Sequence, residues 1–290
     1  MKPIHIALAL GLTLVWGMNF VSVRYGLNHY PPLFFAALRF VVAALPIAFV
    51  APPKIALSRL LAISGALFVG QFAFQFPGMQ LGFPPGLTSL VMQAQVFFTV
   101  LLATSFLGER PRARNYVALV IAFAGLALIA ATAGGNGVTI IGLVLIVASA
   151  LCWAIGNVLL RASPGADMFS LVCWASLPAI APLLALSLIF EGPAAGWEAL
   201  THPAFTGVVA VFYVGLATTV VGYWVWGELL KRYTAAIVTP FALLVPVTGT
   251  VAAHILFGES FGALRLAGMA LIMAGLVVNT LPVERWLKPA

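Results

Sequence analysis

A chain of 290 residues that is 63% hydrophobic and 7% charged, with a mean hydropathy of +1.12, falls outside the ordinary soluble class, in which about a quarter of residues carry charge. The formal charge of +7 does not point to nucleic acid, because the 14 basic residues stand singly or in short clusters between apolar runs and build no basic face. Two cysteines, Cys152 and Cys173, lie inside apolar runs, where core packing is their ordinary role and a structural disulfide is not expected.

A helix needs roughly 20 apolar residues to cross the hydrocarbon core, and charges, prolines and glycines divide this chain into ten such runs. The predicted spans are 4–23, 33–51, 60–78, 86–107 and 115–133, then 138–160, 168–190, 205–227, 235–257 and 263–282. Lys2 ahead of the first run resembles the start of a signal peptide. No small-residue cleavage site follows and further spans do, so the run is read as the first span. Ten spans use about 200 residues and leave loops and tails, with no separate folded domain.

With the N-terminus in the cytoplasm, the inner segments collect Lys2, Lys54, Arg59, Arg110, Arg112, Arg114, Arg161, Lys231, Arg232, Arg285 and Lys288. Only Arg24 and Arg265 fall outside, and Arg39 lies within a span. That asymmetry is what the positive-inside rule requires, and an even number of spans puts both termini in the cytoplasm.

The halves repeat one another. Trp16 and Arg24, eight residues apart, recur as Trp153 and Arg161 at an offset of 137. Gly108-Glu109 followed by Ala124-Gly125-Leu126 recurs as Gly258-Glu259 followed by Ala274-Gly275-Leu276 at an offset of 150. The difference of 13 fits a longer connection around Glu191 to Pro203 in the second copy. Five spans per copy is an odd number, so the second copy, 138–282, enters the membrane upside down relative to the first, 1–133. The expected fold is therefore an all-α membrane protein of ten transmembrane helices, arranged as two inverted five-helix repeats around a central cavity. Inverted repeats set a binding site near the midplane and supply two access states of similar energy.

Further motifs follow in fixed order. The first half carries Trp16-Gly17-Met18-Asn19-Phe20, then Pro31-Pro32 with Arg39 seven residues after the second proline, then Leu107-Gly108-Glu109. The second carries Trp153-Ala154-Ile155-Gly156-Asn157, Leu244-Val245-Pro246-Val247 and Phe257-Gly258-Glu259. In order, spacing and duplication these resemble the drug/metabolite transporter superfamily, in particular the EamA family of bacterial exporters, over essentially the whole chain. The segments Gln71 to Gln95 and Tyr223 to Pro246 resemble those of amino-acid exporters of the aromatic and cysteine/O-acetylserine types. The resemblance implies a multi-pass bacterial inner-membrane transporter that exports amino acids, aromatic ones included, by alternating access. Export of drugs or other small metabolites is the alternative. Val96 stands where the second copy has Pro246, and Ser176 stands where the first has Arg39, so the two halves are not expected to touch substrate symmetrically.

The polar residues inside apolar runs are the candidate substrate ligands. Gln71, Gln75, Gln93 and Gln95 are costly in hydrocarbon unless each faces a cavity or a neighbouring helix. Gln71 and Gln75 share a helical face with Met79 one turn on. Trp16 with Asn19, and Trp153 with Asn157, set an aromatic surface beside an amide in each copy, suited to a side chain and to charged backbone groups respectively. Helix packing is the competing reading of both pairs. Arg39, about six residues into its span, has two readings: structural pairing or snorkelling, and attraction of a substrate carboxylate.

No His/Asp/Glu cluster has metal-ligand spacing, and no phosphate loop or nucleophile motif is present, so neither metal, cofactor nor catalysis is expected. An intramembrane hydrolase and a membrane scaffold are the other classes, and a scaffold does not require a duplicated inverted architecture. The expected partners are a small-molecule substrate and the lipid bilayer, with no nucleic acid. No Asp or Glu falls at a predicted midplane, which favours downhill export over carboxylate-based proton coupling.

Overall fold

The structure, a computed structural model, describes residues 1–108, 111–132, 138–163, 167–233 and 235–280. Glu109, Arg110, Arg285 and Lys288, named above, lie outside the described residues. Ten apolar helical segments follow in chain order: α1 Pro3–Leu27, α2 Pro32–Ala48, α3 Leu57–Gln80, α4 Pro85–Leu107, α5 Ala113–Ala130, α6 Ile140–Arg161, α7 Met168–Phe190, α8 Phe205–Arg232, α9 Pro240–Phe257 and α10 Ala263–Thr280. Nine of these are long and apolar enough to cross a membrane, and α2 is the shorter one. The described residues contain no strand.

Local chemistry sets the ends. Proline occupies the first turn of α1, α2 and α4, where its missing N–H has no intrahelical partner to lose. Thr139 caps α6 by accepting from the Gly142 N–H at 3.1 Å, and Asp167 caps α7 by accepting from the Ser170 N–H at 2.9 Å. Gly108 and Gly258 end α4 and α9, both at φ +66°, a left-handed conformation that only glycine adopts freely. Helix α2 closes in a tighter 3-10 turn, Leu45–Ala48, that contains Pro46. The connection Glu191 to Pro203, expected as a loop, folds into a short helix, Pro193–Thr201.

Two pairs of segments share irregularities. Helix α3 winds as a π-helix over Ser64–Gly70, and α8 does so over Tyr213–Val221. Helix α4 is broken by a turn at Met92 and Gln93, and the first turn of α9 is part of a 3-10 helix over Thr239–Leu243. Each break lies one residue before a regular helix that starts at Ala94 in one half and Leu244 in the other.

Helix α5 packs along α10, α2 along α7, α1 against α8 and α9, and α6 against α3 and α4. The α5–α10 crossing is close because it is glycine-lined. A Cβ on Gly125 would stand 2.6 Å from the Gly268 carbonyl oxygen, and one on Gly268 would stand 2.8 Å from that of Gly125. Between α2 and α3, Phe40 meets Phe68 and Phe72 at 4.8 and 5.3 Å, and Phe76 meets Phe72 and Phe35 at 5.4 and 5.1 Å between ring centres. Offset and edge-on pairs at these separations hold rings rigidly, so the side of α2 that carries this ladder is fixed against α3.

Candidate functional site

The three candidates Trp16, Asn19 and Arg39 come together on one partner, the π-helical segment of α8. The Trp16 indole Nε1 donates to the Thr218 carbonyl at 3.0 Å, and its ring lies 5.9 Å from Tyr223 and 5.4 Å from Trp226. The Thr218 hydroxyl lies 3.1 Å from Asn19 Oδ1 and 2.8 Å from the Val214 carbonyl. Its one proton serves one of these at a time.

Arg39 is 5% exposed. Its Nε and Nη2 both donate to the Thr219 hydroxyl, at 3.1 and 2.9 Å. The guanidinium carbon stands 4.0 Å from the centre of the Phe72 ring and 5.7 Å from that of Phe40, within cation–π range. Its Nη1 is buried with no hydrogen-bond partner. None of the ion pairs among the described residues includes Arg39. A buried guanidinium that lacks a carboxylate is expensive, and among the described residues a hydroxyl and two aromatic faces stand against that cost.

Gln95 and Asn157 form a second group. Asn157 Nδ2 donates to Gln95 Oε1 at 2.7 Å and lies 3.4 Å from the Thr99 hydroxyl, which ties α6 to α4. This is the interhelical bonding set against pore-lining for the glutamines. No hydrogen bond or ring contact among the described residues joins this pair to the Arg39 cluster.

The remaining candidates are placed singly. Gln71, Gln75 and Met79 are all buried on one face of α3, and the Gln71 carbonyl accepts from the Ser149 hydroxyl of α6 at 2.7 Å. Gln93 is buried at the break in α4. Trp153 packs half-buried against the main core. A groove of about 380 Å³ between α5 and α6 is lined only by apolar residues, such as Phe123, Leu126 and Val147, and by none of the ten candidates.

Thr218, Thr219 and Phe72 were not singled out from the sequence. Phe72 is one of 21 phenylalanines and carries no distinguishing mark. Thr218 and Thr219 form the chain's single Thr-Thr pair, inside an apolar run, and that was the available signal.

The comparisons bear on what such a site serves. A family model described as the EamA-like transporter family matches residues 3–131 and again 140–281. A relative from Salmonella typhimurium called "Probable amino-acid metabolite efflux pump" is 41% identical over 94% of this chain and 93% of its own length. One of the same name from Escherichia coli is 40% identical over 97% and 96%. A "Probable terminal-alkyne amino-acid exporter" from Streptantibioticus cattleyicolor is 28% identical over 96% and 94%. A solved crystal structure at 20% identity shares the fold with a TM-score of 0.65, over 99% of this chain and all of that one. The long apolar helices make this a multi-pass membrane protein, and the matches across both halves show that the chain belongs to the EamA-like transporter family.

Proposed function

We propose that this protein exports amino acids across a bacterial inner membrane, by alternating access of two inverted five-helix repeats, with Trp16, Asn19 and Arg39 at the substrate site. Aromatic amino acids are among its substrates. The observation that carries the reading is Arg39: a cation buried in an apolar helix, short of one partner, between aromatic faces. Intramembrane ionisable groups of this kind mark substrate pathways, and a zwitterion brings the carboxylate that such a group lacks. The names of the relatives support amino acids as the cargo.

Five observations support the repeat. The family model matches twice, the π-helical segments fall in α3 and α8, the breaks fall at α4 and α9, and left-handed glycines end both of those helices. The packing also maps onto itself when α1, α3 and α4 are exchanged with α6, α8 and α9. Among the other candidates, Gln71, Gln75, Met79, Gln93 and Trp153 line the pathway in other access states, and the Gln95–Asn157 pair ties α4 to α6.

Radiolabelled amino-acid flux from proteoliposomes tests the function. The parent is expected to release amino acids down their gradient, and Arg39→Ala and Arg39→Lys, at equal protein levels, to raise the half-saturating concentration by roughly tenfold or more, the worth of one charge-assisted hydrogen bond. Unchanged apparent affinity removes Arg39 from the site, and inhibition by cationic drugs in place of amino acids supports the drug-exporter alternative. A pH gradient alone is expected to drive no uptake in the same vesicles.

A further inference from the structure

Thr219 is used to capacity. A hydroxyl has one proton to donate and two lone pairs to accept with. Its proton goes to the Val214 carbonyl at 2.7 Å, and both acceptor sites are taken by Arg39 Nε and Nη2. The donor to Val214 reaches back five residues, and the Thr218 hydroxyl reaches the same carbonyl from four residues on. The wider π-helical turn of Tyr213–Val221 brings both hydroxyls to that one oxygen, and π-bulges recur at functional sites.

A guanidinium has donors and no acceptor, so Thr219 meets Arg39 as an acceptor while its own proton is held by the Val214 carbonyl. It engages one edge of the guanidinium, Nε with Nη2, while the Phe72 ring covers a face at 4.0 Å. Nη1 is then the one guanidinium nitrogen without a partner, and its direction is fixed by the hydroxyl on the opposite edge. The planar fork of an arginine is suited to a carboxylate.

We propose that Thr219 is a positioning residue for Arg39, aiming the unpartnered Nη1 as receptor for a substrate carboxylate, so that a substrate with a free carboxylate is preferred over its amide. The inference rests on the amino-acid exporter reading and narrows it towards carboxylate-bearing substrates. Nη1 is sealed from solvent in this conformation, so the carboxylate reaches it when the helices around it part.

The test uses the full chain in proteoliposomes, with L-phenylalanine and L-phenylalaninamide as probes, and the remaining common amino acids each beside its amide if phenylalanine is not carried. The parent is expected to carry the acid with a half-saturating concentration at least tenfold below that of the amide. Thr219→Val removes the hydroxyl at nearly constant shape, and is expected to raise the value for the acid roughly tenfold and leave that for the amide unchanged. Thr219→Ser, which keeps the hydroxyl, is expected to restore the parent's discrimination. Equal handling of acid and amide by the parent overturns the inference while leaving export intact, as does an equal loss of both in Thr219→Val. That first comparison needs no variant to fold. Absence of flux for every amino acid tried overturns the exporter reading itself.

Discussion

A charged side chain in hydrocarbon must be offset by neighbours, and that requirement makes single residues readable. Arg39 was legible as a candidate because it is an ionisable group within an apolar run. Its neighbours Thr218 and Thr219 were not, because a threonine that bonds its own helix's carbonyl is cheap in an apolar environment and leaves no trace in the pattern. Glu259 extends the same logic to a helix end outside the spans. Its carboxylate accepts from the Gly86 N–H in the first turn of α4, 3.1 Å to Oε2 and 3.5 Å to Oε1. Burial pushes its pKa up to about 7 from the usual 4.5, against the opposing pull of the Gly86 hydrogen bond and the charge of Arg24. An acid whose folded pKa is raised contributes stability that is fully present below its unfolded pKa and is lost as pH rises through the folded one. Glu259→Gln keeps the acceptor and fixes it neutral. In thermal melts in detergent it is expected to match the parent near pH 4, below the unfolded pKa, and to outlast it near pH 8, above the folded one. A parent that is the more stable at pH 8 contradicts this account.

At the scale of elements, hydropathy and breakers located nine helices among the described residues that are long and apolar enough to cross a membrane, with α2 shorter than expected, because a helix in lipid must satisfy every backbone group internally and so runs from one polar boundary to the next. The range 168–190 was read from sequence as it stands in the structure. The π-helical segments of α3 and α8 were not legible, since a change from four-residue to five-residue bonding depends on side-chain hydroxyls and tertiary contacts and not on apolar periodicity. The α5–α10 crossing was half legible. The repeated Ala-Gly-Leu triplets showed equivalence but not contact. Their meaning is steric: besides Gly125 and Gly268, a Cβ on Gly275 would stand 2.8 Å from the Ala118 carbonyl oxygen. Small residues let membrane helices approach to backbone contact, and backbone cannot move aside as a side-chain tip can. Gly268→Leu is therefore expected to cost about 1–3 kcal/mol, the range for overpacking a tight site. It should appear as a lower melting temperature in detergent, while Gly262→Ala, with open space around its Cβ, serves as the neutral control. Equal melting of the two variants rules out the close crossing.

For the whole molecule, sequence indicated duplication through short motifs at two offsets, and the structure adds pairwise packing that survives exchange of the halves. What neither motif nor packing states directly is sidedness, because hydrocarbon treats both directions of a helix alike and only loop charges and insertion decide. The proposed inversion makes a definite demand here. Lys54, in the connection after α2, and Glu198, in the connection after α7, hold equivalent places in the two copies, and both are exposed. In a direct repeat they face the same compartment; in an inverted one they face opposite compartments. Single cysteines at Lys54 and Glu198, in a chain whose own Cys152 and Cys173 are replaced by serine, can be labelled with a membrane-impermeant maleimide in intact spheroplasts. Glu198→Cys is expected to label from the periplasmic side at once, and Lys54→Cys only after the membrane is opened. Labelling of both from one side sinks the inverted repeat. The alternating-access mechanism then loses its structural basis, since two states of similar energy arise here only if each half can do on one side what its copy does on the other.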